Sequence, residues 1–173
     1  ELAHIKAKSI VVSDKHHHVM NLARAIQNRQ RCIALVGRLM DAPFHEAEHK
    51  ACQDRCRMWQ ERIDQYGFQW DDLSESAIVD WAYEYFVACW MGRSHISGTK
   101  DEFCGKISAR WNANGGDSNV RYRNAVRSLA AWSGIMKRCN FRVMDAFDFI
   151  GKCHDEHGNG IYCDPPFPGP GDD

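Results

Sequence analysis

A chain of 173 residues, 44% hydrophobic and 26% charged, is long enough for one domain with a sizeable core, or for a domain carrying an insertion. Its formal net charge of −1 gives no whole-chain polycation signature. No apolar run approaches the roughly 20 residues of a membrane span and no signal peptide is visible, so no membrane partner is expected.

The eight cysteines are scattered without a CxxC pair, which points to reduced thiols in a cytoplasmic protein rather than to a disulfide framework.

In chain order, Ser9-Ile10-Val11-Val12-Ser13 reads as a buried parallel strand ending in Asp14. An acid at such a tip suits a ribose diol, and it equally suits the cap of a following helix. From Lys15 to about Val36 the apolar spacing is helical. His45, His49, Cys52 and Cys56 then share one helical face and are all zinc-ligand types. On a straight helix they span about 16 Å, too long for one ion, so no metal site is assigned to them.

Residues 41–86 carry eleven acids against four Lys and Arg, alongside an aromatic set that reads as helical core. Stretch 76–91 is the clearest helix, with Ile78, Val79, Ala82, Phe86, Cys89 and Trp90 inward. The balance inverts between Lys100 and Arg142, where nine cations face three acids. Arg110-Trp111-Asn112-Ala113-Asn114-Gly115-Gly116 is a turn-rich loop among these cations. Such a loop suits phosphates and base edges, or simply solvent.

Asn124 to Lys137 has helical spacing, and Phe141-Arg142-Val143-Met144 alternates into Asp145 as a strand does. A helix begins at Ala146. Last, Ile161-Tyr162-Cys163 follows the Gly158-Asn159-Gly160 turn signal and reads as a short buried strand. Pro165 and Pro166 stop it, leaving the Asp164 side chain, the Pro165 carbonyl and the Phe167 ring together at a strand end. That set can accept both N–H bonds of an exocyclic amine and stack on its ring, although an Asp-Pro-Pro turn can also merely close a strand. Three strand ends thus terminate in Asp: Asp14, Asp145 and Asp164.

Asp164-Pro165-Pro166-Phe167 after a strand resembles the catalytic motif of amino-methyltransferases that use S-adenosylmethionine, and of their Dam-like, adenine-specific DNA members in particular. Val12-Ser13-Asp14 followed by Met20-Asn21-Leu22 resembles the second-strand region of that family, and the Arg110–Gly116 loop ending at Asn119-Val120 loosely resembles its loop before the third strand. The resemblance implies an α/β fold: a partial Rossmann-like methyltransferase sheet from residues 1–30 and 140–173, with a helical target-recognition insertion at 31–139. It implies S-adenosylmethionine as cofactor, held by Asp14 at the ribose, by Asp145 with Phe147 at the adenine, and by Asp164. Asp148, followed by Phe149, is the second candidate for the adenine acid.

Asp164, Pro165, Pro166 and Phe167 are the implied catalytic residues, acting on adenine N6 in double-stranded DNA. Arg110, Asn112, Asn114, Arg121 and Arg123 are the implied DNA contacts. The family's glycine-rich first motif has no counterpart, since no Gly precedes Gly37; the expectation is a piece of a longer enzyme that binds cofactor poorly alone. An amino-methyltransferase of RNA or of cytosine, or a non-catalytic nucleic-acid- or metal-binding domain, are the alternatives.

Overall fold

The computed structural model describes residues 6–67, 72–92, 103–108 and 117–163. Its elements run β1 (Ile10–Asp14), α1 (His17–Gln27), α2 (Arg29–Asp41), α3 (Glu46–Tyr66), α4 (Glu75–Trp90), α5 (Ser118–Met136), β2 (Cys139–Val143) and α6 (Ala146–Ile150).

α4 is the axis of the helical body. Every residue from Trp81 to Ala88 is buried, Glu84 included, and a helix without a solvent stripe must be surrounded. α1, α2 and α3 all pack against it, while α5 packs on α1 and α2. Leu35 and Leu39 from α2, Cys52 and Cys56 from α3, and Tyr122 and Val126 from α5 close one continuous core around it.

Local chemistry sets the boundaries. Ser74 Oγ accepts from Ala77 N at 3.2 Å to start α4, and Asp117 Oδ1 accepts from Asn119 N at 2.8 Å to start α5. α3 ends where Gly67 takes φ +69°, ψ 178°, a region only glycine adopts easily, and donates to Ile63 O at 2.9 Å. Arg31 grips Glu75 with two hydrogen bonds of 2.5 Å, tying the start of α2 to the start of α4.

β1 and β2 pair in parallel, with Ile10 opposite Cys139 and Asp14 opposite Val143. Gln27 Nε2 donates to Met136 O at 3.2 Å and to Cys139 O at 2.6 Å, so the end of α1 pins the turn that feeds β2.

Three sequence expectations need correction. The expected Rossmann-like sheet is absent: the described residues are mostly helical, and their sheet has two strands. Ile161-Tyr162-Cys163 forms no strand, and Ile161 and Tyr162 are 54% and 71% exposed. Three apolar residues between a glycine turn and two prolines are too few to build a ladder without a partner already in place. The helix expected across Lys15 to Val36 is two, because Asn28 turns its Oδ1 to Gln30 N at 2.9 Å and Arg31 N at 3.1 Å and so starts α2 afresh.

Candidate functional site

The parallel pairing sets the carboxyl ends of β1 and β2 side by side. Met144 N donates to Asp14 O at 3.2 Å and Ser13 Oγ donates to Met144 O at 3.0 Å, which carries the ladder to the tips. Asp14 and Asp145 therefore stand at one sheet edge, the edge at which α/β folds commonly present ligand-binding groups.

Each carboxylate does one local job. Asp14 Oδ1 accepts from His16 N at 2.7 Å in a tight turn, while His16, the N-cap of α1, takes Val19 N on its Nδ1 at 3.4 Å. Asp145 Oδ1 caps α6 by accepting from Phe147 N at 2.9 Å. The Oδ2 atoms make no hydrogen bond among the described residues. Asp14 is exposed, Asp145 half-buried, and the Phe147 ring is 84% exposed. Two acceptor oxygens and an uncovered aromatic face fit the diol and purine of a nucleoside. Asp148 is exposed in the first turn of α6. Asp164, Pro165, Pro166 and Phe167 lie outside the described residues, as do Arg110, Asn112 and Asn114.

Arg121 and Arg123 sit in the first turns of α5 rather than in a loop. Arg121 is exposed. Arg123 is engaged at the end of α2: it donates to Met40 O, to Ala42 O at 3.2 Å and, through Nε, to Asn119 Oδ1 at 3.4 Å.

The His and Cys face of α3 is divided between separate tasks. His45 caps the helix through Nδ1, accepting from Ala47 N at 3.1 Å. His49 is buried and its Nε2 donates to Ala88 O at 3.1 Å; burial lowers its pKa. Cys52 is fully buried, and desolvation pushes its thiol up to about 12. Among the described residues no three His, Cys, Asp or Glu side chains converge as metal ligands. None of the eight cysteines, all among the described residues, forms a disulfide.

Sequence reasoning missed the polar groups inside the bundle. Trp81 Nε1 donates to His18 Nδ1 at 2.7 Å. Glu84 accepts from Trp59 Nε1 at 2.9 Å and from Arg55 Nε at 2.8 Å, and burial raises its pKa. Nearby, Tyr83 Oη donates to Glu48 at 2.8 Å, and Arg38 lies over the Tyr83 ring while bonding Asp80. Arg38, Glu48, Arg55, Asp80, Tyr83 and Glu84 line an open groove of about 580 Å³ in which acids outnumber cations. Trp59 and Glu84 lie 25 residues apart on two different helices, a separation that leaves no periodic signal in a sequence.

No family model, curated protein or solved structure matches the chain. No helix among the described residues is long and apolar enough to cross a membrane.

Proposed function

We propose that this chain belongs to a DNA adenine-N6 methyltransferase that uses S-adenosylmethionine, acting in the cytoplasm, where free thiols such as its eight persist. The observation that carries the reading is that Asp14, at the end of β1, and Asp145, two residues beyond the end of the parallel β2, lie at the same edge of the sheet, in a chain that also carries Asp164-Pro165-Pro166-Phe167. The support is this juxtaposition and the motif, and it does not depend on a larger sheet.

Asp14 Oδ2 accepts from the ribose hydroxyls, Asp145 from the adenine amine, and Phe147 covers the purine face. The bound cofactor supplies an electrophilic methyl group. A target adenine must leave the duplex, because its amine is otherwise paired. Asp164 and the Pro165 carbonyl accept its two N6 protons, turning the nitrogen lone pair toward the methyl, and Phe167 stacks on the ring. Transfer would be a direct displacement needing no covalent enzyme intermediate: the N6 lone pair forms the N–CH3 bond as the S–CH3 bond breaks and the thioether leaves, and one N6 proton passes through the Asp164 carboxylate to solvent. Orienting two bound reactants contributes several kcal/mol, of the ~7–11 kcal/mol ascribed to proximity at its limit.

The test is transfer of labelled methyl to duplex DNA by the full natural protein beside its Asp164→Ala variant, followed by digestion to nucleosides. Label in N6-methyladenine that disappears in the variant is the expected result. A folded, cofactor-binding protein that labels neither DNA nor RNA would overturn the reading.

A further inference from the structure

We propose that the solvent face of α5 docks in the major groove of duplex DNA, Arg121 and Arg127 meeting phosphates on the two flanks and Asn124 and Ser128 facing the base edges. The choice of duplex DNA as the polyanion rests on the proposed function; the surface itself rests on charge and geometry.

Residues 118–144 hold six cations, Arg121, Arg123, Arg127, Lys137, Arg138 and Arg142, and no acid. α3 by contrast carries five acids, Glu46, Glu48, Asp54, Glu61 and Asp64, interleaved with Lys50, Arg55, Arg57 and Arg62. Within α5 the charged residues, Arg121, Arg123 and Arg127, are all positive, with Asp117 capping its start. Lys and Arg clustered without compensating acids are the electrostatic footprint of a phosphate-binding surface.

The orientation of α5 is fixed by what it buries. Tyr122, Val126, Leu129 and Ser133 form its inner stripe, and the helix packs on α1 and α2. Asn124, Ser128 and Ala131 run along the opposite, exposed side. At 3.6 residues per turn, Arg121 and Arg127 fall about 60° to either side of Asn124. A slender ridge results, polar at Asn124 and Ser128, apolar at the exposed Val120 and at Ala131, and flanked by two arginines. A helix about 10–12 Å across fits a major groove about 12 Å wide, and this arrangement aims its cations at both groove walls.

Both arginines are available. Neither forms an ion pair among the described residues, and Arg127 makes only a neutral 3.3 Å contact to Asn124 Oδ1. Ser128 Oγ donates within the helix to Ala125 O at 2.7 Å and keeps its acceptor lone pairs for a base amine. Arg123, whose donors serve α2, takes no part.

The experiment is fluorescence anisotropy of a short labelled duplex with the full natural protein, without methyl donor, over a series of salt concentrations. The Arg121→Ala/Arg127→Ala variant is expected to keep its circular dichroism and melting temperature while its slope of log K against log salt becomes shallower by about 1.8, at ~0.9 per phosphate lost. Arg123→Ala is expected to lower the melting temperature and leave the slope unchanged. A double variant with the parental slope overturns the proposal, as does tighter binding of single-stranded RNA than of duplex DNA. The two readings separate cleanly: duplex binding without methyl transfer sinks the enzyme and leaves the surface, whereas methyl transfer with an unaltered slope in the variant sinks the surface and leaves the enzyme.

Discussion

Arg123 of α5 reaches across to the carbonyl of Met40, the penultimate residue of α2, and holds the neighbouring Ala42 carbonyl at 3.2 Å as well. Tyr122 Oη takes the Leu39 carbonyl at 3.1 Å. Two consecutive residues of one helix thus satisfy the last acceptors of another, where those acceptors lack partners of their own and the helix dipole favours a cation. Arg123→Ala is expected to cost about 1.5–3 kcal/mol, the range for hydrogen bonds to a charged group. Urea denaturation checks this; an unchanged midpoint would show that water replaces the guanidinium without loss.

His49 makes stability depend on pH. Burial lowers its pKa below 6.5, against a smaller opposing contribution from the Ala88 carbonyl. The unfolded chain, with the ordinary value, takes up its proton first as the solution is acidified. Stability from this group is therefore complete above pH 6.5 and falls as pH drops from there toward the folded value. His17, lowered by burial and by His16, adds in the same direction. Glu84, raised by burial, acts oppositely in its own window above pH 4.5. Comparing the unfolding midpoint of wild type and His49→Gln between pH 8 and pH 5.5 isolates the histidine; the variant is expected to show the flatter profile.

Gly92 follows α4 at the point where His49 meets Ala88. A Cβ there would sit 2.9 Å from Ala88 O and 3.3 Å from His49 Nε2. The first contact is with backbone and cannot be relieved by a rotamer change. Gly92→Ala is expected to cost about 1–3 kcal/mol, as overpacking does, and to flatten the pH profile by disturbing the imidazole. Thermal unfolding at pH 8 and pH 5.5 reads both effects.

Leu35 is completely buried beside α4 and α5. Leu35→Ala is expected to lower stability by about 2.7–5 kcal/mol, the span found for leucine cavities. Calorimetry checks the magnitude. A loss below ~1 kcal/mol would mean that the helices close over the gap.

The helices were the legible part of the sequence because their signal is local. The stretch 76–91 shows its period, and the structure places α4 at Glu75–Trp90 with Ile78, Val79, Ala82 and Phe86 buried, although Trp90, expected inward, is 43% exposed. The strand end at Asp14 was also legible, since a short apolar run closing on an acid is a local pattern, whereas β2 stops at Val143 and Asp145, expected at its tip, caps α6 instead. What could not be read was pairing. Ile161-Tyr162-Cys163 is a short apolar run like Ile10-Val11-Val12, yet among the described residues only the latter finds a partner strand. Nor does composition reveal that Arg123 is engaged while Arg121, two residues earlier, is exposed; that difference is set by where α2 ends. The candidate site was legible as residue types at strand tips, and Phe147 beside Asp145 only through the family resemblance.

The partners in β1 and β2 are separated along the chain by five helices, since Ile10 pairs with Cys139. Closing so long a loop carries a high entropic cost before any ladder bond forms. Early in folding the helices, built from neighbours, can assemble on α4 while both strands remain solvated. The sheet then closes last, as a clasp on a finished bundle. The edge bearing Asp14 and Asp145 is the final part of the molecule to be made and the first to open when it is disturbed.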